Sequence, residues 1–353
     1  MRFSLMILLL CILGSVYAQD ILPEYVPAIK GSWWQIANED FSAGEYSNKP
    51  APGEPTLRNH QQVSDFTVYK TANGKWQLIS AVRNTNFPGG AHFLFRWEAD
   101  NLTNPHWTEK GIFYTTNDFL PKAGYATGVI YAPHCIMNDG KFFMFHNSAG
   151  TAHLLISDDG INFKPYTRPN GSHILFDAGE AGRDLMVMDN RKHDGLWYVY
   201  YVSVDTSRKE LADRQFTDVY YRTAKELTGT WSEPGIAGMG LPDRPREIPH
   251  SKVDFVNAES PFVLFYKGWY YKFEQAFITA SKDPANFKDK PVIANLFPHF
   301  QYPGDWWPAL APEVIIDGEK MYVAYFMNHH EHPLKTLQMG GVFVAELTWV
   351  KNK

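Results

Sequence analysis

Four ionisable residues stand at the mouths of three apolar runs. Asp65 sits in Val63-Ser64-Asp65-Phe66-Thr67-Val68-Tyr69. The pair Arg183-Asp184 opens Leu185-Met186-Val187-Met188, and Glu259 leads into Ser260-Pro261-Phe262-Val263-Leu264. Cleaving a glycosidic bond needs two carboxyl groups, one that gives a proton to the leaving oxygen and one ionised to activate water or attack the anomeric carbon. A third carboxylate nearby raises the acid's pKa by like-charge repulsion and orients it. On its longer stem Glu259 is the natural acid, Asp65 the natural base and Asp184 the tuner, with Arg183 or another base holding Asp184 ionised. Any one of these acids alone reads as a turn or cap residue. Three at equivalent places argue for a carbohydrate-cleaving site.

What makes the places equivalent is a repeat. Five times an apolar, β-branched or aromatic run meets a glycine-centred turn and returns as an aromatic-rich strand. The turns are Asn73-Gly74-Lys75-Trp76, Asp139-Gly140-Lys141-Phe142, Asp194-Gly195-Leu196-Trp197, Lys267-Gly268-Trp269-Tyr270 and Asp317-Gly318-Glu319-Lys320, with the glycines 66, 55, 73 and 50 residues apart. Short strands repeating at this length are the signature of a β-propeller blade. The expected fold is therefore all-β, a single five-bladed β-propeller. The innermost strand of each blade lines the axis, so residues at its start face a common pit. Blade two opens at Ala132-Pro133-His134, and blade five at Ala311-Pro312-Glu313.

These motifs resemble the strand starts of glycoside hydrolase family 43 and its five-bladed relatives. The likeness rests on Val63-Ser64-Asp65-Phe66, Gly182-Arg183-Asp184-Leu185, Ala258-Glu259-Ser260-Pro261 and Ala311-Pro312-Glu313-Val314. A strand end ending in Leu227-Thr228-Gly229-Thr230-Trp231 adds to it. It spans residues 60–348. The resemblance implies inversion at the anomeric centre, with Asp65 as general base, Asp184 as tuner and orienter and Glu259 as general acid. Leu185 departs from it, since Pro often follows the second Asp. The sister family 32, which cleaves fructosyl bonds with retention, shares an Arg-Asp-Pro and a Glu before Cys or Ser. Its first-blade Asn-Asp-Pro is replaced here by Ser64-Asp65-Phe66, which favours the inverting group. No cofactor is required on this reading. The resemblance admits a structural calcium near the propeller axis, by a central His such as His134.

Other residues carry two readings each. Arg183 either clamps sugar hydroxyls or neutralises Asp184. His134 either touches substrate or fills the pit. Trp306 and Trp307, in a Pro- and Gly-rich loop before blade five, form a sugar-stacking wall or belong to the core. Glu313 is read as structural, and Asp158, Asp159 and Asp283 as turn residues. The 13 histidines, three of them clustered at His329, His330 and His332, show no metal-ligand spacing, so no catalytic metal is expected. There is no Gly-x-Ser-x-Gly, phosphate loop or dinucleotide fingerprint.

The bulk of the sequence agrees with this reading. An aromatic content of 15% suits pleated sheets and sugar-stacking surfaces alike. A net charge of −5 without a basic block excludes nucleic acid as a partner. The expected partner is an oligosaccharide or polysaccharide substrate, and the protein a monomer or weak oligomer. Arg2, the apolar residues 5–13 and Val16-Tyr17-Ala18 read as a signal peptide over 1–18, with cutting before Gln19. The expected location is secreted or periplasmic, without membrane insertion. Cys135 is then the one cysteine left, so no internal disulfide forms. Residues 19–60 read as an N-terminal arm that packs on the propeller with Trp33 and Trp34 as anchors. Residues 61–353 read as the catalytic propeller.

Overall fold

The computed structural model of the chain describes residues 22–49, 51, 59–87, 92–115, 129–148, 150–179, 182–204, 217–239, 258–297, 310–327 and 340–352. Several expectations fall on other residues: the leader at 1–18, Trp306 and Trp307, and the cluster at His329, His330 and His332.

The described chain is a five-bladed β-propeller. Strand β1 (Tyr25–Asn38) comes first and joins the fifth blade. Blade one is β2 (Gln62–Lys70), β3 (Trp76–Arg83), β4 (Phe93–Ala99) and β5 (Thr108–Tyr114). Blade two is β6 (Tyr131–Asn138), β7 (Lys141–Ser148) and β8 (Thr151–Ser157), edged by the short β9 (Lys164–Pro165) and β10 (Phe176–Asp177). Blade three is β11 (Arg183–Asp189), β12 (Trp197–Val204), β13 (Thr217–Ala224) and β14 (Gly235–Met239). Blade four is β15 (Phe262–Tyr266), β16 (Trp269–Glu274), β17 (Phe277–Ser281) and β18 (Val292–Asn295). Blade five is β19 (Leu310–Asp317), β20 (Lys320–Met327) and β21 (Gly341–Lys351), with β1 outermost. The inner strands β2, β6, β11, β15 and β19 touch one another in ring order, and β19 returns to β2.

The five repeat glycines are the first turns of the five blades. All have φ between 62° and 83°, a conformation glycine adopts at no steric cost. In the two-residue loops Asp139-Gly140 and Lys267-Gly268 both residues have positive φ, the twist that matches a right-handed hairpin.

Apolar side chains fill the seams between blades. One cluster joins β2, β3 and β4 to β6, β7 and β8. A second joins blades two and three. A third runs through blades three, four and five, and a fourth joins blade five to blade one.

The segment expected to lie on the propeller as an arm is partly built into it. Strand β1 pairs antiparallel with β21 from Tyr25↔Lys351 to Asn38↔Gly341, with two register shifts on the way. A last strand that exposes its edge gains more from a partner's backbone than from a loop lying over it. The two tryptophans do anchor it. Trp33 stacks on Phe297 at 5.1 Å and meets the edge of Tyr325, and Trp34 meets the edge of Tyr322.

Candidate functional site

The inner strands start irregularly, and the irregularity repeats. The ladder slips by one residue between Val63 and Phe66, Tyr131 and His134, Arg183 and Met186, and Leu310 and Glu313. At the same place Ala132, Asp184, Ser260 and Ala311 have φ of 45°, 60°, 44° and 50°. Non-glycine residues avoid this region, and such strain persists only where the surroundings impose it. Pro133, Pro261 and Pro312 follow three of them; proline lacks the N–H that a regular ladder would use. Tyr131, Arg183 and Glu259 stand just before the positive-φ residues of blades two, three and four. They face different seams: Tyr131 packs on His92 of blade one, while Arg183 and Glu259 meet between blades three and four.

Asp65, Asp184, Ser260 and Ala132 line one pocket on the axis, whose floor includes His134 and Glu313. Ser260 ties two of the acids. Its backbone N–H donates to Asp184 Oδ2 at 3.1 Å, and its hydroxyl donates to Asp65 Oδ1 at 3.4 Å. Arg183 ties the third. Its Nη2 lies 2.5 Å from Glu259 Oε2, and its Nε lies 3.5 Å from Asp184 Oδ2. Asn147 Oδ1 accepts from the Asp184 backbone N–H at 3.3 Å, fixing the strained turn. Asp65, Asp184, Glu259 and Arg183 are therefore together, from three blades, as their sequence places implied.

Their environments differ. Asp184 is buried, while Asp65 and Glu259 are half-buried. Burial, and then the charge of Asp184, push Glu259 up to about 8, against the pull of Arg183. Burial and Asp184 likewise raise Asp65 to about 7, opposed by Arg83 and Arg183. Burial raises Asp184 too, but Arg183 and the two Ser260 contacts hold it down. Asp184 is thus the group best supplied with partners for its charge, and Glu259 the one most ready to keep a proton.

His134 fills the floor of the pit. It is buried, and its Nε2–H donates to the Val187 carbonyl at 3.2 Å, linking blades two and three. Burial lowers its pKa to about 4, so the ring is neutral. Its Nδ1 lies 3.8 Å from Glu313 Oε1, which accepts from the Thr67 hydroxyl at 2.8 Å. Burial raises Glu313 to about 8. Calcium takes six to eight oxygen ligands. Here the axis offers one neutral imidazole and one carboxyl already engaged by Thr67, and among the described residues no group of three or more His, Cys, Asp or Glu is arranged to hold a metal ion. This donor set does not fit a calcium ion.

Four neighbours of the acids were not singled out from sequence. Ser260 stood inside the Glu259 motif, where its neighbours masked it. Asn147 and Arg83 sit at the ends of second strands, and only the meeting of blades brings them to the site. Arg83 donates through Nε to Gln62 Oε1 at 3.0 Å, and its charge reaches Asp65. Tyr131 could have been found by matching its place to Arg183 and Glu259. Its ring packs on His92, with centroids 4.4 Å apart, and the Asp65 charge helps burial to raise its hydroxyl pKa.

The sequence matches no protein-family model and no curated protein. Its structure resembles solved five-bladed enzymes. A thermostable family-43 glycoside hydrolase superposes with a TM-score of 0.57 at 17% identity, over 87% of this chain and 97% of that one. An endo-arabinase from Bacteroides thetaiotaomicron gives 0.54 at 12% identity, over 88% and 99%. A family-43 β-xylosidase/α-arabinofuranosidase from a compost microbial metagenome, solved with xylotriose, gives 0.52 at 16% identity, over 87% and 95%. The chain thus has the propeller fold that these glycoside hydrolases share, over nearly its whole described length.

Proposed function

We propose that the protein is an exported glycoside hydrolase that acts with inversion on oligosaccharides or polysaccharides, arabinofuranosidic or xylosidic bonds being the first to test. The observation that carries this reading is the meeting of three carboxyl groups from three blades, two of them joined through Ser260 and one held by Arg183. Asp65 takes a proton from water as the water attacks the anomeric carbon. Glu259 gives its proton to the leaving glycosidic oxygen. Asp184 stays ionised, raises the affinity of Glu259 for its proton and aligns Ser260. Glu259 is strongly shifted towards the protonated form, as an acid at neutral pH must be.

The test is sugar release from aryl arabinofuranosides, xylosides, galactosides and fructans by the wild-type protein, Glu259→Gln and Asp65→Asn. Turnover of one substrate that collapses in both variants supports the reading. NMR of the first product anomer then decides the stereochemistry: inversion supports Asp65 as base, and retention makes it a nucleophile, as in the fructosidase group. No turnover on any substrate by folded protein would leave a sugar-binding propeller.

A further inference from the structure

The guanidinium of Arg183 stands between two carboxyl groups in unequal positions. The Asp184 side chain behind it is 4% exposed, while Glu259 in front is 14% exposed and Arg183 itself 26%. Both Arg183 and Glu259 stand just before a residue with positive φ, Asp184 and Ser260, in adjacent blades, and they meet across the seam between them. The contact between them, at 2.5 Å, is the shortest of those that join Asp65, Arg183, Asp184, Glu259 and Ser260.

That contact works against the chemistry assigned to Glu259. A general acid must carry a proton, and a guanidinium at hydrogen-bond distance favours the carboxylate. Glu259 acts best when Arg183 holds something else. Sugar hydroxyls are a weak replacement, because neutral acceptors give up roughly half the strength of a charge-assisted bond. A substrate with its own anion is a full replacement. The guanidinium then turns from Glu259 to the ligand and keeps an ionic partner. Glu259 remains beside the negative charge of Asp184, which favours its protonated form.

We propose that the pit takes a glycoside whose reacting sugar carries an anionic group, a uronic acid first of all, and that Arg183 recognises it by exchanging the Glu259 carboxylate for that of the sugar. A uronate replaces one carboxylate by another at the same planar fork. A sulfate ester offers the same charge and is the second source of the same chemistry. Long-range attraction plays no part, since the net charge is −5; the recognition is local to one arginine. The inference rests on Glu259 being the acid of a glycoside hydrolase.

Titration calorimetry at low salt would compare glucuronate with glucose, galacturonate with galactose, and glucose 6-sulfate with glucose. Uronates are expected to bind about tenfold or more tightly than their neutral parents, the gain of a bond to a charged group. The preference should disappear in Arg183→Met, survive in part in Arg183→Lys and weaken with added salt. Tight sulfate binding with weak uronate binding would keep the exchange and assign its anion to a sulfate ester. Equal binding of charged and neutral sugars by the wild type, or a uronate preference that outlives Arg183→Met, overturns the proposal. Aryl glucuronides beside aryl xylosides separate it from the reading beneath it. Turnover of neutral glycosides without uronate preference ends the anion proposal and leaves a hydrolase. Uronate-selective binding without turnover of any glycoside leaves the anion site and removes the hydrolase.

Discussion

The acids make their strongest statements through pH. On the proposed mechanism Glu259 must be protonated to act and Asp65 ionised. With Glu259 near 8 and Asp65 near 7, activity should rise as pH climbs through about 7 and fall as it passes about 8. A kcat/KM profile that is already flat from pH 5 to 7 would contradict the value near 7 for Asp65, and one that shows no fall up to pH 9 would contradict the value near 8 for Glu259. Glu259→Gln and Asp65→Asn should each lower kcat by roughly 10²–10⁴. Glu313 makes a different prediction, about stability. Its carboxyl is raised from 4.5 to about 8 in the folded protein, so the folded state binds the extra proton. The stability this gives is complete below pH 4.5 and is lost as pH rises through 8. Glu313→Gln keeps an acceptor for Thr67 and has no proton to lose. Its melting temperature should fall less between pH 6 and pH 9 than that of the wild type, by differential scanning calorimetry. The acids were legible in the sequence because each precedes an apolar run that must be buried. Their connectors were not: a bond between Ser260 and Asp65 joins residues on different blades, and no local pattern encodes it.

At the scale of the strand, the hairpin turns were the most readable part of the chain. Only a glycine is comfortable at the left-handed position, so the five glycines mark five turns directly. Strand β1 was hidden for the opposite reason. Its partner lies more than 300 residues away in β21, and Pro27 and Gly31 break the pattern that a strand usually writes. Two glycines separate these two kinds of information. At Gly195, φ is +83° and a Cβ would meet nothing within 4 Å. Gly195→Ala should therefore cost only the backbone term, roughly 1–2 kcal/mol, in urea denaturation. At Gly341 a Cβ would lie within 3 Å of the Ala37 carbonyl and the Gln35 amide of β1. Gly341→Ala should destabilise the protein well beyond Gly195→Ala, because β1 must shift to admit it. Equal losses at the two sites would mean that β1 contributes little to the fold.

For the whole molecule the decisive contact is the one that shuts the ring. Among the described residues no disulfide crosses it, and Cys135 is a free, buried thiol. The apolar seams and the β1–β21 ladder hold the propeller together. Trp33, stacked on Phe297, is the point at which β1 is pinned across the seam of blades four and five. Trp33→Ala should cost about 2–4 kcal/mol, at the lower side of large aromatic deletions because the ring is only partly buried. The same variant should show concentration-dependent association in light scattering, since a loosened β1 uncovers the edge of β21.

The β1–β21 pairing also sets a timetable. The first strand to leave the ribosome cannot be paired until the last one is made, so β1 spends the whole of synthesis without its partner. Blades one to four can assemble in turn, each on the one before. The fifth has to wait for both ends of the chain, and contacts between such distant residues form slowly. A chain whose two ends have not yet met is accordingly expected to be an open horseshoe of blades with β1 unattached, which stopped-flow refolding would report as a slow last phase. In it, Glu259 and Arg183 can already face each other while the floor formed by Glu313 is still absent. A nascent chain of this kind closes the floor of its pit in a single last step, when its oldest and newest segments meet.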